Sequence, residues 1–72
     1  MPKSPALTSK EVIRILERNG FVFDHATGSH RVYYHQQNKR RAVVPFHKKD
    51  LPKGTLIAIL KEAGIQREEW SK

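Results

Sequence analysis

The sequence predicts an α+β fold of order αβββα, with a three-stranded antiparallel sheet and two helices packed on one of its faces. Three observations carry this. A helix-start signature stands at Thr8-Ser9-Lys10-Glu11. Three short β-patterned runs follow between Phe21 and Pro45, joined by turn residues. Leu56, Ile59, Leu60 and Ala63 then recur at helical spacing.

The first helix opens on a capping box. The Thr8 hydroxyl can accept from the Glu11 amide while the Glu11 carboxylate reaches back. Leu7 and Val12 are spaced for a hydrophobic staple. Val12, Ile13, Ile15 and Leu16 form an apolar side, and Arg14, Glu17 and Arg18 face water. Gly20 ends the helix as a left-handed cap residue. Pro2 and Pro5 leave residues 1–6 as a loose arm.

Phe21-Val22-Phe23 starts the first strand, which runs to Asp24-His25, and Ala26-Thr27-Gly28 reads as the turn after it. Ser29 to His35 is the clearest strand. His30, Val32 and Tyr34 point one way, and Ser29, Arg31, Tyr33 and His35 the other. Gln36 to Lys39 is a hairpin connection, and Arg40 to Val44 is the third strand, ended or placed at an edge by Pro45. Short turns between consecutive strands imply a meander. Phe46 to Asp50 is a basic loop. The second helix takes Asp50 as N-cap, Pro52 in its first turn and Gly64 as its C-cap. Ile65 and Trp70 are expected to fold back on the core. Both helices need a surface for their apolar stripes, and one sheet face supplies it. This is the arrangement of the double-stranded-RNA-binding fold. The 72 residues form a single domain without repeats.

Composition narrows the function. The chain carries 14 Lys and Arg against 7 Asp and Glu, a net charge of +7. The excess is concentrated: Arg31, Lys39, Arg40, Arg41, Lys48 and Lys49 lie between Asp24 and Asp50 with no acid among them. A basic middle of this kind suits a phosphate backbone or an acidic protein partner. There is no cysteine, so neither a disulfide framework nor a thiolate metal site is expected. No apolar run approaches the roughly 18 residues of a spanning helix, and no signal-peptide core is present, so a cytoplasmic protein is expected.

The chemistry centres on Gly28-Ser29-His30. An imidazole beside a glycine turn and basic side chains can move a proton at an RNA phosphodiester, since RNA carries its own nucleophile in the 2′-OH. Gly28 lets the backbone pass close to RNA, and its amide or that of Ser29 can donate to phosphate. The Ser29 side chain, one residue before His30, points to the opposite face and reads as structural. Arg31, Lys48 and Lys49 are candidates for holding phosphate, with Lys53 in reserve at the start of the second helix. His47 is a second proton carrier, a phosphate contact or a plain loop histidine. His25 and His35 read as surface residues. One of Tyr33 and Tyr34 can stack on bases, and core packing takes the other. No histidine pair has metal-site spacing.

The chain resembles the HicA toxins, small ribonucleases of HicBA toxin–antitoxin pairs. The resemblance is carried by Leu16-Glu17-Arg18-Asn19-Gly20-Phe21, Gly28-Ser29-His30, Val43-Val44-Pro45 and His47. It continues through Lys49-Asp50-Leu51-Pro52-Lys53-Gly54-Thr55-Leu56, Ile59-Leu60-Lys61-Glu62-Ala63-Gly64-Ile65 and Arg67-Glu68-Glu69-Trp70. Gln66 departs from it, standing where a capping serine or threonine is more usual. The resemblance implies a metal-independent endoribonuclease that needs no cofactor and cuts single-stranded mRNA, blocking translation and growth. It implies that His30 is the catalytic histidine, and that a HicB-type antitoxin covers the site. Specific DNA binding would belong to the antitoxin, and no membrane is involved. A non-catalytic RNA-binding module and a pure interaction protein are the competing readings. Both predict that His30→Ala leaves function intact.

Overall fold

The computed structural model describes residues 7–46 and 49–66. The element order is α1 (Ser9–Arg18), β1 (Val22–Thr27), β2 (His30–Tyr34), β3 (Arg41–Pro45) and α2 (Lys53–Ala63). The sheet is antiparallel in the order β1-β2-β3, so β2 is central. The expected αβββα arrangement holds. Residues 1–6, His47, Lys48 and the closing segment with Trp70 lie outside the described residues.

Each helix is delimited by its own sequence. The Thr8 hydroxyl accepts from the Glu11 amide at 3.3 Å, and the Thr8 amide donates to Glu11 Oε1 at 2.8 Å. At the other end of α1, Gly20 takes φ +92°. Its N–H donates to the Glu17 carbonyl, and the Phe21 N–H donates to that of Leu16. That pair of bonds is a Schellman cap, and buried Phe21 supplies its apolar contact. The end of α2 repeats the pattern: Gly64 has φ +76°, its N–H donates to Lys61, and the Ile65 N–H donates to Leu60.

The start of α2 differs from the expectation. Pro52, not Asp50, is the N-cap, with extended backbone at φ −56° and ψ 144° and no side-chain cap bond. Asp50 instead forms an isolated antiparallel bridge with Thr8, and the Leu51 N–H donates to the Leu7 carbonyl at 2.8 Å. The chain therefore arrives extended, and the helix turns only after Pro52. The same bonds place the starts of both helices side by side.

The strands also shift from their sequence bounds. The first turn is Gly28-Ser29 rather than Ala26-Thr27-Gly28, because Thr27 is still paired with His30. Gly28 has φ +58° and Ser29 does not have a positive φ, the pattern of a II′ hairpin turn. A bulge between Phe23 and His25 leaves Asp24 without a partner on β2. Pro45 belongs to β3, opposite His30. The Phe46 N–H donates to the Ser29 carbonyl, which makes the next pair, His30 and Pro45, a non-hydrogen-bonded one. Proline's missing N–H therefore removes no ladder bond.

Residues paired across strands share a face. Tyr33, Ala42 and Val44 point toward the helices and are buried with Val12, Ile15, Leu16, Leu56, Ile59 and Leu60. Burying side chains of this size contributes about 1.5–3 kcal/mol each before entropy is counted. His30, Val32, Tyr34, Arg41 and Val43 occupy the opposite face. Val32 is buried yet stands outside the helix-packed core. Tyr33 thus goes to the core, and Tyr34 shares the face of His30.

Candidate active site

His30 is the first residue of the central strand. The Gly28-Ser29 turn delivers it, and Thr27 on β1 and Pro45 on β3 flank it. Its side chain is exposed and makes no hydrogen bond or ion pair with the described residues. Both turn residues are exposed, and a Cβ at position 28 would meet nothing within 4 Å. Glycine is needed there for its positive φ, and the space beside it is open.

The end of the sheet that carries His30 also receives the two helix starts. The Ser9 hydroxyl, fully buried, donates to the Pro45 carbonyl at 2.6 Å. That bond ties the first turn of α1 to β3. The Thr8–Asp50 bridge and the Leu51–Leu7 bond then bring in α2. Glu11 offsets the positive end of α1, whereas the first turn of α2 holds no acid and no side-chain cap. Exposed Lys53 is the first residue of α2, and exposed Lys49 precedes it on the connecting segment. The dipole of α2 and these two ammonium groups therefore reinforce one another for an anion.

The helix C-termini lie at the opposite end, under the β2–β3 hairpin. His35 covers Gly20, and Arg40 covers Gly64 while donating from Nη1 to the Glu62 carbonyl at 3.2 Å. His35 is more than a surface residue. Its Nδ1 accepts from the Gln37 and Asn38 amides, and its ring meets Phe21 edge-on. It organises the hairpin and stands far from His30.

The structure brings Gly28, Ser29 and His30 together and sets Lys49 on the connecting segment, and Lys53 on the first turn of α2, at the same end. It does not bring Arg31 to His30. Arg31 is on the helix-side face, half-buried, with its guanidinium 3.9 Å from the centre of the Phe46 ring. His47 and Lys48 lie outside the described residues. One pair has no counterpart in the sequence reading: His25 Nδ1 and Asp24 Oδ2 are 2.7 Å apart on β1, both side chains about half exposed. No group of three His, Cys, Asp or Glu suited to a metal occurs among the described residues, and no helix there is long and apolar enough to cross a membrane.

No curated protein matches the chain. The family model described as the HicA toxin of bacterial toxin–antitoxin matches residues 9–65. That span runs from the first residue of α1 to the residue that closes the cap of α2, and takes in every element of the fold. The chain belongs to the HicA toxin family of bacterial toxin–antitoxin systems.

Proposed function

We propose that the chain is an endoribonuclease that cleaves mRNA through His30 without a metal ion, stops translation in the cytoplasm, and is neutralised by a HicB-type antitoxin. The observation that carries this reading is the setting of His30: exposed, unpaired with the described residues, at the start of the central strand and on the face the helices leave open. An imidazole so placed is free to exchange a proton with a bound 2′-OH or 5′-oxygen. The Gly28 and Ser29 amides, Lys49, Lys53 and the start of α2 supply positive charge for the phosphate. His47 and Lys48 stand between Phe46 and Lys49 in the sequence and add to the same basic segment. Tyr34, on the face of His30, offers a ring for a neighbouring base.

The test is induced expression of the parent and of His30→Ala side by side, with growth and RNA integrity followed in time. Arrest with mRNA loss in the parent alone is the expected result. Arrest in both variants would mean that the chain acts by binding, as a non-catalytic RNA-binding module does. Cleavage by purified protein should also continue in EDTA.

A further inference from the structure

Cleavage by proton transfer needs two groups, one to take the 2′-OH proton and one to protonate the departing 5′-oxygen. We infer that His25 is the second catalytic imidazole and that Asp24 is its positioning residue, an assignment that rests on the ribonuclease reading of His30.

The register places the two rings together. Thr27 pairs with His30 and His25 pairs with Val32, so His25, Thr27, His30 and Val32 share the open face. His25 and His30 are diagonal neighbours across β1 and β2, a relation that separates their Cα atoms by roughly 7–8 Å. An in-line displacement puts the attacking and leaving oxygens on opposite sides of phosphorus. Two proton carriers, each one hydrogen bond from its oxygen, must then stand roughly 6–9 Å apart. Two imidazoles that rise from one sheet face on Cα atoms so spaced can reach that span with a phosphate between them. Of the described histidines, His25 alone shares the face of His30, since His35 sits on the helix-side face at the far end and its Nδ1 is already occupied.

Asp24 fixes the ring. Its carboxylate can only accept, so the 2.7 Å contact assigns the proton to His25 Nδ1 and leaves Nε2 for the substrate. Asp24 is free to do this because the bulge removes it from the ladder. Bulges are over-represented beside active sites, where they re-aim a side chain.

The step balances within the pair. One imidazole, entering neutral, takes the 2′-OH proton as the 2′-oxygen forms its bond to phosphorus. The other, entering protonated, gives its proton to the 5′-oxygen as that bond to phosphorus breaks. The products are a 2′,3′-cyclic phosphate and a 5′-hydroxyl, and one proton has passed from one ring to the other. The titratable groups facing His25 are Asp24 on its own strand and, at the two diagonal positions on β2, His30 and Tyr34. Arg41 of β3 lies beyond Tyr34, and among the described residues no helix packs on this face.

The experiment is single-turnover cleavage of a defined single-stranded RNA by the purified parent, His25→Ala, His25→Gln, Asp24→Asn and His30→Ala, between roughly pH 5 and 9. Affinity for the 2′-deoxy analogue is measured alongside, and circular dichroism confirms folding. His25→Ala should lose roughly 10²–10⁴-fold in rate with affinity within a few-fold, and one limb of the bell-shaped profile should disappear. Asp24→Asn should show a smaller loss and a displaced limb. The limb that vanishes in His25→Ala assigns that ring as base or acid. If His25→Ala and His25→Gln cleave within about threefold of the parent with both limbs intact while His30→Ala is inactive, the inference is overturned and the ribonuclease reading stands. If His30→Ala cleaves as the parent does, both fall.

Discussion

The Ser9 hydroxyl donates to the Pro45 carbonyl at 2.6 Å across 36 residues of sequence, and Pro45 stands directly opposite His30. Pro45 is on an edge strand in a non-hydrogen-bonded pair, so its carbonyl points away from β2. The hydroxyl satisfies an acceptor that the ladder leaves over and fixes α1 to the strand end beside His30. Ser9→Ala leaves that carbonyl without its partner, and a destabilisation of about 1–2 kcal/mol is expected. Urea unfolding of the two proteins checks it. A midpoint unchanged in Ser9→Ala would mean that water replaces the hydroxyl without loss.

The two cap glycines should not tolerate alanine equally. Both have positive φ, which costs an L-residue about 1–2 kcal/mol. A Cβ at Gly20 would lie 2.7 Å from His35 Nε2, and at Gly64 it would lie 2.8 Å from Arg40 Nε. The arginine can swing away and lose one bond to Glu62. The His35 ring is held by two amides and by Phe21. Gly20→Ala is therefore expected to lower stability by about 2–3 kcal/mol and Gly64→Ala by about 1–2. Denaturant midpoints in the reverse order would show that the hairpin yields more easily than the arginine.

Local signals carried most of this fold. The capping box and the glycine caps are written within a few residues of each other, and both appear where the sequence puts them. What the sequence hid is non-local or depends on parity. The Ser9–Pro45 bond and the Arg31–Phe46 stack join residues with no shared local pattern. The Asp50 cap failed because Asp50 pairs with Thr8, 42 positions earlier. The turn shows how small an error suffices. Reading Ala26-Thr27-Gly28 as the turn takes Thr27 out of the strand and hides its register with His30. Reading Gly28-Ser29 as a two-residue hairpin turn, which Gly at its first position permits, sets His25 on the face of His30 by counting alone. The same alternation gave Tyr33 and Tyr34 opposite faces and left open which was buried. The Ala42 and Val44 side of β3, opposite Tyr33, decides it.

Alkaline pH should loosen the core through Tyr33. Burial pushes its phenol above the ordinary value of 10.0, the charge of Glu17 adds to this, and Arg31 opposes it. The folded state therefore holds this proton more tightly than the unfolded chain does. The resulting stabilisation is fully present below pH 10.0 and is lost as the pH rises from there through the folded value. Tyr33→Phe removes the group that titrates while keeping the ring, so its stability should fall less over that window. Parallel alkaline unfolding curves for the two proteins would remove Tyr33 as the cause.

RNA binding should report which cations touch phosphate. In a His30→Ala background, which keeps the substrate whole, Lys49→Gln and Lys53→Gln should each reduce the slope of log affinity against log salt. The reduction per lost phosphate contact on a single strand is about 0.7. Arg31→Gln should leave that slope unchanged, because the guanidinium lies over Phe46 on the face turned toward the helices. Its effect should appear in stability instead, as the loss of about 0.5–1 kcal/mol from the stack. The combination separates a cation that holds the backbone from one that holds the fold. A reduced slope for Arg31→Gln with none for either lysine would route the RNA over the Phe46 side of the sheet and away from His30.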